Sequence, residues 1–207
     1  MSEKVKKIGV FGGSFSPPHA GHIHALRSFL SEEKLDLAYV IPSYQSPQKA
    51  MILDVTPEQR LDMCRLAFSF DPRIRVSDME IRRGGKSYTV DTLTELVAPD
   101  VKLLLLCGTD MFLTLDTWYR VEDIFAMAEI VWQRREDEKD QKTEEKIEQK
   151  VFEYKKRFGA TIRELRLPPR SLSSTVCRER IADDDFSREN LPSAVREYIE
   201  KWHLYQQ

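Results

Sequence analysis

The chain has 207 residues, 41% hydrophobic and 32% charged, with a net charge of −2. A chain this long buries about 70% of the surface its unfolded form exposes, so it builds a core without a disulfide or metal staple and is expected to form one domain over residues 1–207. The charge balance argues against a protein that coats nucleic acid or a polybasic membrane binder, and 8 glycines with 10 prolines exclude collagen-like repeats and argue against disorder.

Short apolar runs alternate with helical patterns along the chain. Lys7–Phe11 ends at Gly12 and Gly13 and reads as a buried strand; a helical pattern follows over His22–Leu30. Leu37–Ile41, stopped by Pro42, is the second strand. Thr56-Pro57-Glu58-Gln59 reads as a helix start: Thr56 caps, Pro57 takes the first helical position and Gln59 closes a capping box. Leu61, Cys64 and Phe68 then form an apolar stripe, and Ile74–Val76 is a third strand. Thr89 is expected to cap a helix carrying Val90, Leu93 and Val97. Val101–Cys107 is a strand ending at Gly108, and Asp116 is expected to cap a helix carrying Trp118, Val121 and Phe125. Glu129–Trp132 and Thr161–Leu167 are the last strands, and Val195, Ile199 and Trp202 make a terminal helical stripe.

Runs of this length bounded by Gly or Pro suit strands buried on both faces. Their alternation with helices predicts an α/β fold, a doubly wound parallel sheet flanked by helices. Ligands then bind at the strands' C-terminal edge, where the strand order reverses. From Arg134 to Arg157 the chain is mostly charged, with Ile147, Val151, Tyr154 and Phe158 on one helical stripe. It reads as an exposed loop feeding a solvated amphipathic helix rather than a charged partner arm.

Cys64, Cys107 and Cys177 are far apart and odd in number, which indicates neither a disulfide framework nor a CxxC site. The first residues contain no signal-peptide pattern, and no run approaches the roughly 18 apolar residues of a membrane span. A reducing, cytoplasmic setting without membrane or nucleic-acid partners is the expectation. A homo-oligomer is compatible with the sequence.

Chemistry concentrates after strand ends. Gly12-Gly13-Ser14-Phe15-Ser16-Pro17-Pro18-His19-Ala20-Gly21-His22 follows the first strand and opens a helix. The two glycines are expected to turn the backbone sharply and admit a ligand. The helix start offers N–H groups and partial positive charge to phosphate. His19 and His22, three apart, share a helix face and can neutralise developing charge. A zinc site with His24, or incidental surface histidines, are the alternatives. Ser173-Ser174-Thr175 with Arg178 forms a second anion site after the last strand, or simply a helix cap.

GGSFSPPHAGH resembles the HxGH signature of the nucleotidylyltransferase superfamily, and Ser173-Ser174-Thr175-Val176-Cys177-Arg178 resembles its SSTxIR element, with Cys177 at the usual Ile. Ser87-Tyr88-Thr89-Val90-Asp91-Thr92-Leu93 and Gly108-Thr109-Asp110, with Trp118 eight residues beyond Asp110, are similar to motifs of the bacterial nicotinate mononucleotide adenylyltransferases. Gln133-Arg134 resembles the end of their next strand, although Arg135-Glu136 replaces Pro-Gly, and Pro47-Gln48-Lys49 resembles their PPHK loop with Gln48 at the usual His.

The resemblance spans Ile8 to Leu204 and implies a Rossmann-like fold and adenylyl transfer from ATP to nicotinate mononucleotide, giving deamido-NAD and pyrophosphate in NAD biosynthesis, with Mg²⁺ arriving on ATP. It implies that His19, His22 and Arg178 are catalytic. ATP would meet Gly12, Gly13, Ser14, Phe15, His22, Gly108, Asp110, Arg134, Ser174, Thr175 and Arg178. The mononucleotide would meet Ser14, His19, Lys49, Tyr88, Thr89, Asp110 and Trp118. The residue chemistry agrees: Trp118 offers a face to a pyridinium ring, Asp110 can accept from ribose hydroxyls, Tyr88 and Thr89 can orient the ring, and Lys49 can close over phosphates. Their plainer readings are a core tryptophan, a helix cap for Asp110 and for Thr89, and a solvated lysine.

Overall fold

A computed structural model describes residues 5–48, 54–134, 141–166, 172–183 and 190–206. Its strands are β1 (Lys6–Gly13), β2 (Leu37–Pro42), β3 (Ile74–Val76), β4 (Val101–Gly108), β5 (Ala128–Gln133) and β6 (Ile162–Glu164). Its helices are α1 (Ala20–Glu32), α2 (Pro57–Ala67), α3 (Met79–Arg83), α4 (Thr89–Leu96), α5 (Thr109–Leu113), α6 (Val121–Met127), α7 (Gln141–Phe158), α8 (Ser174–Ala182) and α9 (Ser193–Trp202). The strands pair in parallel in the order β3-β2-β1-β4-β5-β6, the doubly wound sheet expected from the sequence. The order reverses between β1 and β4, so their C-terminal ends, Gly13 and Gly108, flank the crevice where such sheets bind ligands.

Alternating residues send the strands' apolar mass to opposite faces. Phe11, Leu104, Leu106 and Val131 pack with Leu26 and Phe29 of α1, Met63 and Cys64 of α2, Cys177 of α8 and Val195 and Ile199 of α9. Val10, Leu103, Leu105, Ile130 and Trp132 pack with Val90 and Leu93 of α4, Phe112 of α5, Ile124 of α6 and Ile147 and Tyr154 of α7. Each such fully buried side chain contributes about 1.5–3 kcal/mol relative to exposure. Gly9 lets α1 settle on β1: a Cβ there would lie 2.5 Å from Leu35 Cδ1 and 2.6 Å from the Phe29 ring.

The α2 start forms as expected. The Thr56 N–H donates to Gln59 Oε1 at 2.9 Å, and the Gln59 N–H donates to Thr56 Oγ1 at 3.2 Å. The α7 stripe buries Ile147 and Tyr154 and leaves Val151 and Phe158 partly buried. Other expectations need correction. Thr89 is the first residue of α4, and Tyr88 takes the cap position. Asp116 lies in a 3₁₀ turn, Leu115–Thr117, and α6 starts only after Arg120, which adopts a left-handed φ of 53°. Trp118 is therefore not on that helix. Asp116 instead accepts from Lys150 Nζ at 2.8 Å and Tyr154 OH at 3.1 Å, so a contact from α7 overrides the capping role. The stripes on α4 and α9 end early, leaving Val97 and Trp202 exposed. β6 stops at Glu164, and Leu167 lies outside the described residues. No helix among the described residues is long and apolar enough to cross a membrane.

Candidate active site

The sequence places a sharp turn at Gly12-Gly13, but both glycines lie within β1, where Gly13 pairs with Pro42 of β2. The chain turns instead at Phe15, whose φ is 46° and whose side chain is 2% exposed. A left-handed bulky residue is strained by about 1–3 kcal/mol and persists only where its surroundings over-determine it. They do so here. Arg60 Nη1 donates to the Ser14 carbonyl at 2.8 Å, and Arg178 Nη1 donates to the Ser16 carbonyl at 2.8 Å. Ser174 Oγ donates to the Pro17 carbonyl at 3.1 Å, and Tyr205 OH shares a buried hydrogen bond with Ser16 Oγ at 2.8 Å. Gly12 and Gly13 supply space: a Cβ at Gly12 would meet nothing within 4 Å, and one at Gly13 would lie 3.2 Å from the Phe15 ring.

This loop delivers His19 to the N-cap of α1, with its ring stacked on that of His22 at 3.7 Å. His22 Nδ1 accepts from the His19 backbone N–H at 3.2 Å, which in the neutral ring assigns the proton to Nε2. The Phe15 ring meets His22 edge-on at 5.0 Å and so backs the imidazole. The two histidines share one helix face at the end of β1. The zinc alternative has no support, since no group of three or more His, Cys, Asp or Glu among the described residues could hold a metal.

Across the loop, α8 begins at Ser174, with Ser173 Oγ accepting from the Val176 N–H at 3.2 Å. Arg178 Nη2 donates to Thr175 Oγ1 at 3.2 Å. Among the described residues these contacts engage two of the guanidinium's five N–H groups. Ser174, Thr175 and Arg178 thus sit beside the histidine loop.

Next to this loop lies a cavity of about 440 Å³. Gly12, Gly13 and Ser14 form one wall, and Ser87, Tyr88, Thr89, Trp118 and Tyr119 form another. Trp118 sits in the extended link before α6, and its buried Nε1–H has no acceptor among the described residues, which leaves a donor for a ligand. Tyr88 and Tyr119 pack at 4.8 Å. Glu80 also lines the cavity at 6% exposure. Burial pushes its carboxyl above the ordinary range, against hydrogen bonds from Thr92 and Ser87 that favour the charge. Thr92 Oγ1 donates to Glu80 Oε1 at 2.6 Å.

The remaining expected residues separate. Gly108 ends β4, and Asp110 is exposed in the first turn of α5; neither lines the cavity. The Arg134 guanidinium turns toward α7, where it pairs with Glu144 and, at 3.0 Å, with Glu164. It also covers the Trp132 ring at 5.4 Å and lines a second cavity of about 460 Å³ beneath α7, so its side chain is not brought to the histidine loop. Pro47 and Gln48 line the first cavity, while Lys49 and the Arg135-Glu136 pair lie outside the described residues. Sequence reasoning missed Arg60 and Tyr205. Arg60 carried a signal, since it stands one helical turn before Cys64 and so on the buried stripe.

The doubly wound parallel sheet, with its crevice where the strand order reverses, defines a Rossmann-like protein. The model of the family described as cytidylyltransferase-like matches residues 10–180. The chain is 34% identical over 203 residues to a protein of Lachnoclostridium phytofermentans named a probable nicotinate-nucleotide adenylyltransferase, covering 97% of this chain and 100% of that one. It is 35% identical to a protein of the same name from Chromobacterium violaceum, covering 96% and 98%. The nicotinic acid mononucleotide adenylyltransferase of Plasmodium falciparum, solved in complex with NaAD, shares the fold at a TM-score of 0.73 and 18% identity, covering 97% of each chain. The chain belongs to the cytidylyltransferase-like family, in the branch of the nicotinate-nucleotide adenylyltransferases.

Proposed function

We propose that this chain transfers the adenylyl group of ATP to nicotinate mononucleotide, giving deamido-NAD and pyrophosphate, as a step of NAD biosynthesis. The observation that carries the reading is the stacked His19–His22 pair on the loop after β1, a loop that Arg178 holds at the Ser16 carbonyl and whose Ser14 lines the cavity of Trp118. The names of relatives at 34% and 35% identity support the same acceptor.

A phosphate oxygen of the mononucleotide attacks the α-phosphorus of ATP in line. The bond from that phosphorus to the α,β-bridging oxygen breaks, and pyrophosphate leaves with the electron pair. The substrate is its own nucleophile, so the chain's contribution is positioning and charge stabilisation. Ser14 and the N-terminus of α1 face the α-phosphate. His19 and His22 donate to the oxygens on which charge grows. Ser174, Thr175 and Arg178 hold the β,γ end. Trp118 stacks on the pyridinium ring, where cation–π attraction adds to apolar contact, and Tyr88 and Thr89 orient its carboxylate. Gly12, Gly13 and Phe15 shape the ATP side, and Gly108 and Asp110 meet ribose. Arg134 reaches adenine only on leaving Glu144 and Glu164. Lys49 is assigned to the mononucleotide.

The described side chains form no carboxylate cage for a divalent ion. Mg²⁺ belongs to the nucleotide in this reading and enters with the triphosphate, as such ions commonly do. One domain over residues 1–207 and a cytoplasmic setting complete it; a single sheet through β1 to β6 supports the first.

The test is pyrophosphate release with ATP and Mg²⁺, offering nicotinate mononucleotide and its amide in parallel. Fast release with the acid and slow release with the amide is expected. Preference for the amide reassigns the acceptor, and no release with either refutes the reaction.

A further inference from the structure

Arg60 is absent from the walls of the cavity and from the histidine loop, yet it is 2% exposed. It projects from α2 and grips two strand ends at once. Its Nη1 donates to the carbonyl of Ser14, just beyond β1, at 2.8 Å. Its Nη2 donates to the carbonyl of Tyr44, just beyond β2, at 3.0 Å. The two strands are adjacent, and the Ser43 N–H donates to the Gly13 carbonyl at 2.9 Å, so Arg60 extends their pairing past the point where the strands end.

The Tyr44 end continues into the acceptor wall. The Tyr44 N–H donates to Ser87 Oγ at 3.0 Å, and the Ser87 N–H donates to the Gln45 carbonyl at 2.9 Å. Ser87 leads directly into Tyr88 and Thr89. Tyr44 is thus held through its carbonyl by Arg60 and through its N–H by Ser87. One guanidinium thereby ties the loop running to His19 to the wall running to Thr89.

The arrangement is costly. Both partners are carbonyls, and Nε has no acceptor among the described residues. Burial holds the guanidinium below the ordinary arginine pKa, with Tyr205, Cys64 and Glu58 opposing that shift. An apolar side chain of similar volume would fill the space at lower desolvation cost. What it would not supply is a rigid planar fork that fixes two acceptors at one separation, and a lysine would not supply it either.

We infer that Arg60 is a positioning residue that sets the distance between the Ser14 loop, which takes the triphosphate, and the Tyr44–Thr89 wall, which takes the acceptor, and so aligns the attacking phosphate with the α-phosphorus. The inference rests on the adenylyl-transfer reading. It touches neither substrate; it acts through two backbone carbonyls.

The experiment compares Arg60→Met, which keeps a long apolar stem, Arg60→Lys, and Met63→Ala, a fully buried core change on the same helix. Activities are normalised to the folded fraction from circular dichroism. Reacting atoms must lie about 3–3.5 Å apart, and a misplacement of about 1 Å costs about a hundredfold. Arg60→Met is therefore expected to lower kcat about a hundredfold, with the KM for each substrate within about threefold of wild type. Arg60→Lys falls between, and Met63→Ala keeps kcat per folded molecule. Amide hydrogen exchange supplies a readout independent of turnover: residues 13–16 and 43–46 exchange faster together in Arg60→Met and in neither segment of Met63→Ala. A kcat for Arg60→Met within threefold of wild type overturns the inference. So does an equal loss in Met63→Ala, or faster exchange confined to α2. If the wild type releases no pyrophosphate, the adenylyl-transfer reading fails, and the exchange comparison still decides whether Arg60 holds the two segments together.

Discussion

Around the loop from Ser14 to Pro17, the side chains of Arg60, Arg178 and Ser174 reach backbone carbonyls, and Tyr205 reaches the Ser16 hydroxyl. Around the acceptor wall, side chains also hold one another: Thr92 bonds Glu80, and Tyr88 packs on Tyr119, while its Tyr44 edge is held through backbone groups, by Arg60 and Ser87. The first half fixes a backbone path, and in the proposed reaction it aims N–H groups and two imidazoles at the α-phosphate. The second half shapes a surface that the proposed reaction uses for a flat ring. Preorganised donors act on turnover, whereas a stacking surface acts on affinity for one substrate.

The largest expected effect tests the first half. His22→Ala is expected to lower kcat by about 10²–10³-fold, the range for losing one preorganised donor to developing charge. Neither KM should rise as much. Steady-state kinetics decides it; unchanged turnover with weaker binding alone would erase the difference between the halves. The second half answers with Trp118→Ala. Stacking a ring on an aromatic side chain is worth about 1–3 kcal/mol, so the KM for nicotinate mononucleotide should rise about tenfold to a hundredfold. The KM for ATP should hold. A rise confined to ATP would place the indole on the wrong side of the site.

Tyr205→Phe sharpens the comparison at lower amplitude. It removes the hydroxyl that meets Ser16 in a buried contact and leaves the ring in place. A net loss of about 1–2 kcal/mol in unfolding free energy is expected from denaturant titration, because a buried partner is left unsatisfied. If the loop is held cooperatively, kcat falls more than the lost folded fraction explains. A stability loss with no kinetic trace would mean that Arg60, Arg178 and Ser174 suffice to hold the loop.

The two halves also differ in how legible they were. His19, His22, Ser174, Thr175 and Arg178 stand in short runs after strand ends, where local spacing alone sets a shared face, and the parallel sheet then brings those runs together. The six strands followed from short apolar runs, several with Gly or Pro at their ends, with boundaries off by up to three residues. Trp118 and Asp116 were misplaced because periodicity suggested a helix where Lys150 and Tyr154 of α7 capture the Asp116 carboxylate instead. Nothing local to residues 114–120 encodes a partner more than thirty residues away. The short α3 and α5 helices were missed for a related reason, since five residues carry too little periodicity to read. Tyr205 was invisible because its partner, Ser16, lies at the other end of the chain.

The smallest expected effect is a pH trend, and its sign separates Glu80 from Asp116. Burial pushes the Glu80 carboxyl above its ordinary value of 4.5. As pH rises past 4.5 the unfolded chain loses this proton first, so the folded state binds more protons and stability falls until the folded carboxyl ionises too. Glu80→Gln does not titrate. Its melting temperature relative to wild type should therefore climb from pH 4 toward neutrality and then level off. Asp116 runs the other way. Burial raises its carboxyl, but hydrogen bonds from Lys150 and Tyr154 and the lysine charge together hold it below the ordinary 3.8. Its contribution is present above that value and lost as pH falls through the folded one, so Asp116→Asn should lose ground to wild type as pH rises toward 3.8 from below and then hold level. Melting curves of both variants from strongly acid pH to neutrality check the pair, each in its own window. A flat Glu80→Gln trend would show that the carboxylate lining the acceptor wall is solvated rather than buried, and a trend of the same sign as that of Asp116→Asn would show that the hydrogen bonds from Thr92 and Ser87 outweigh its burial.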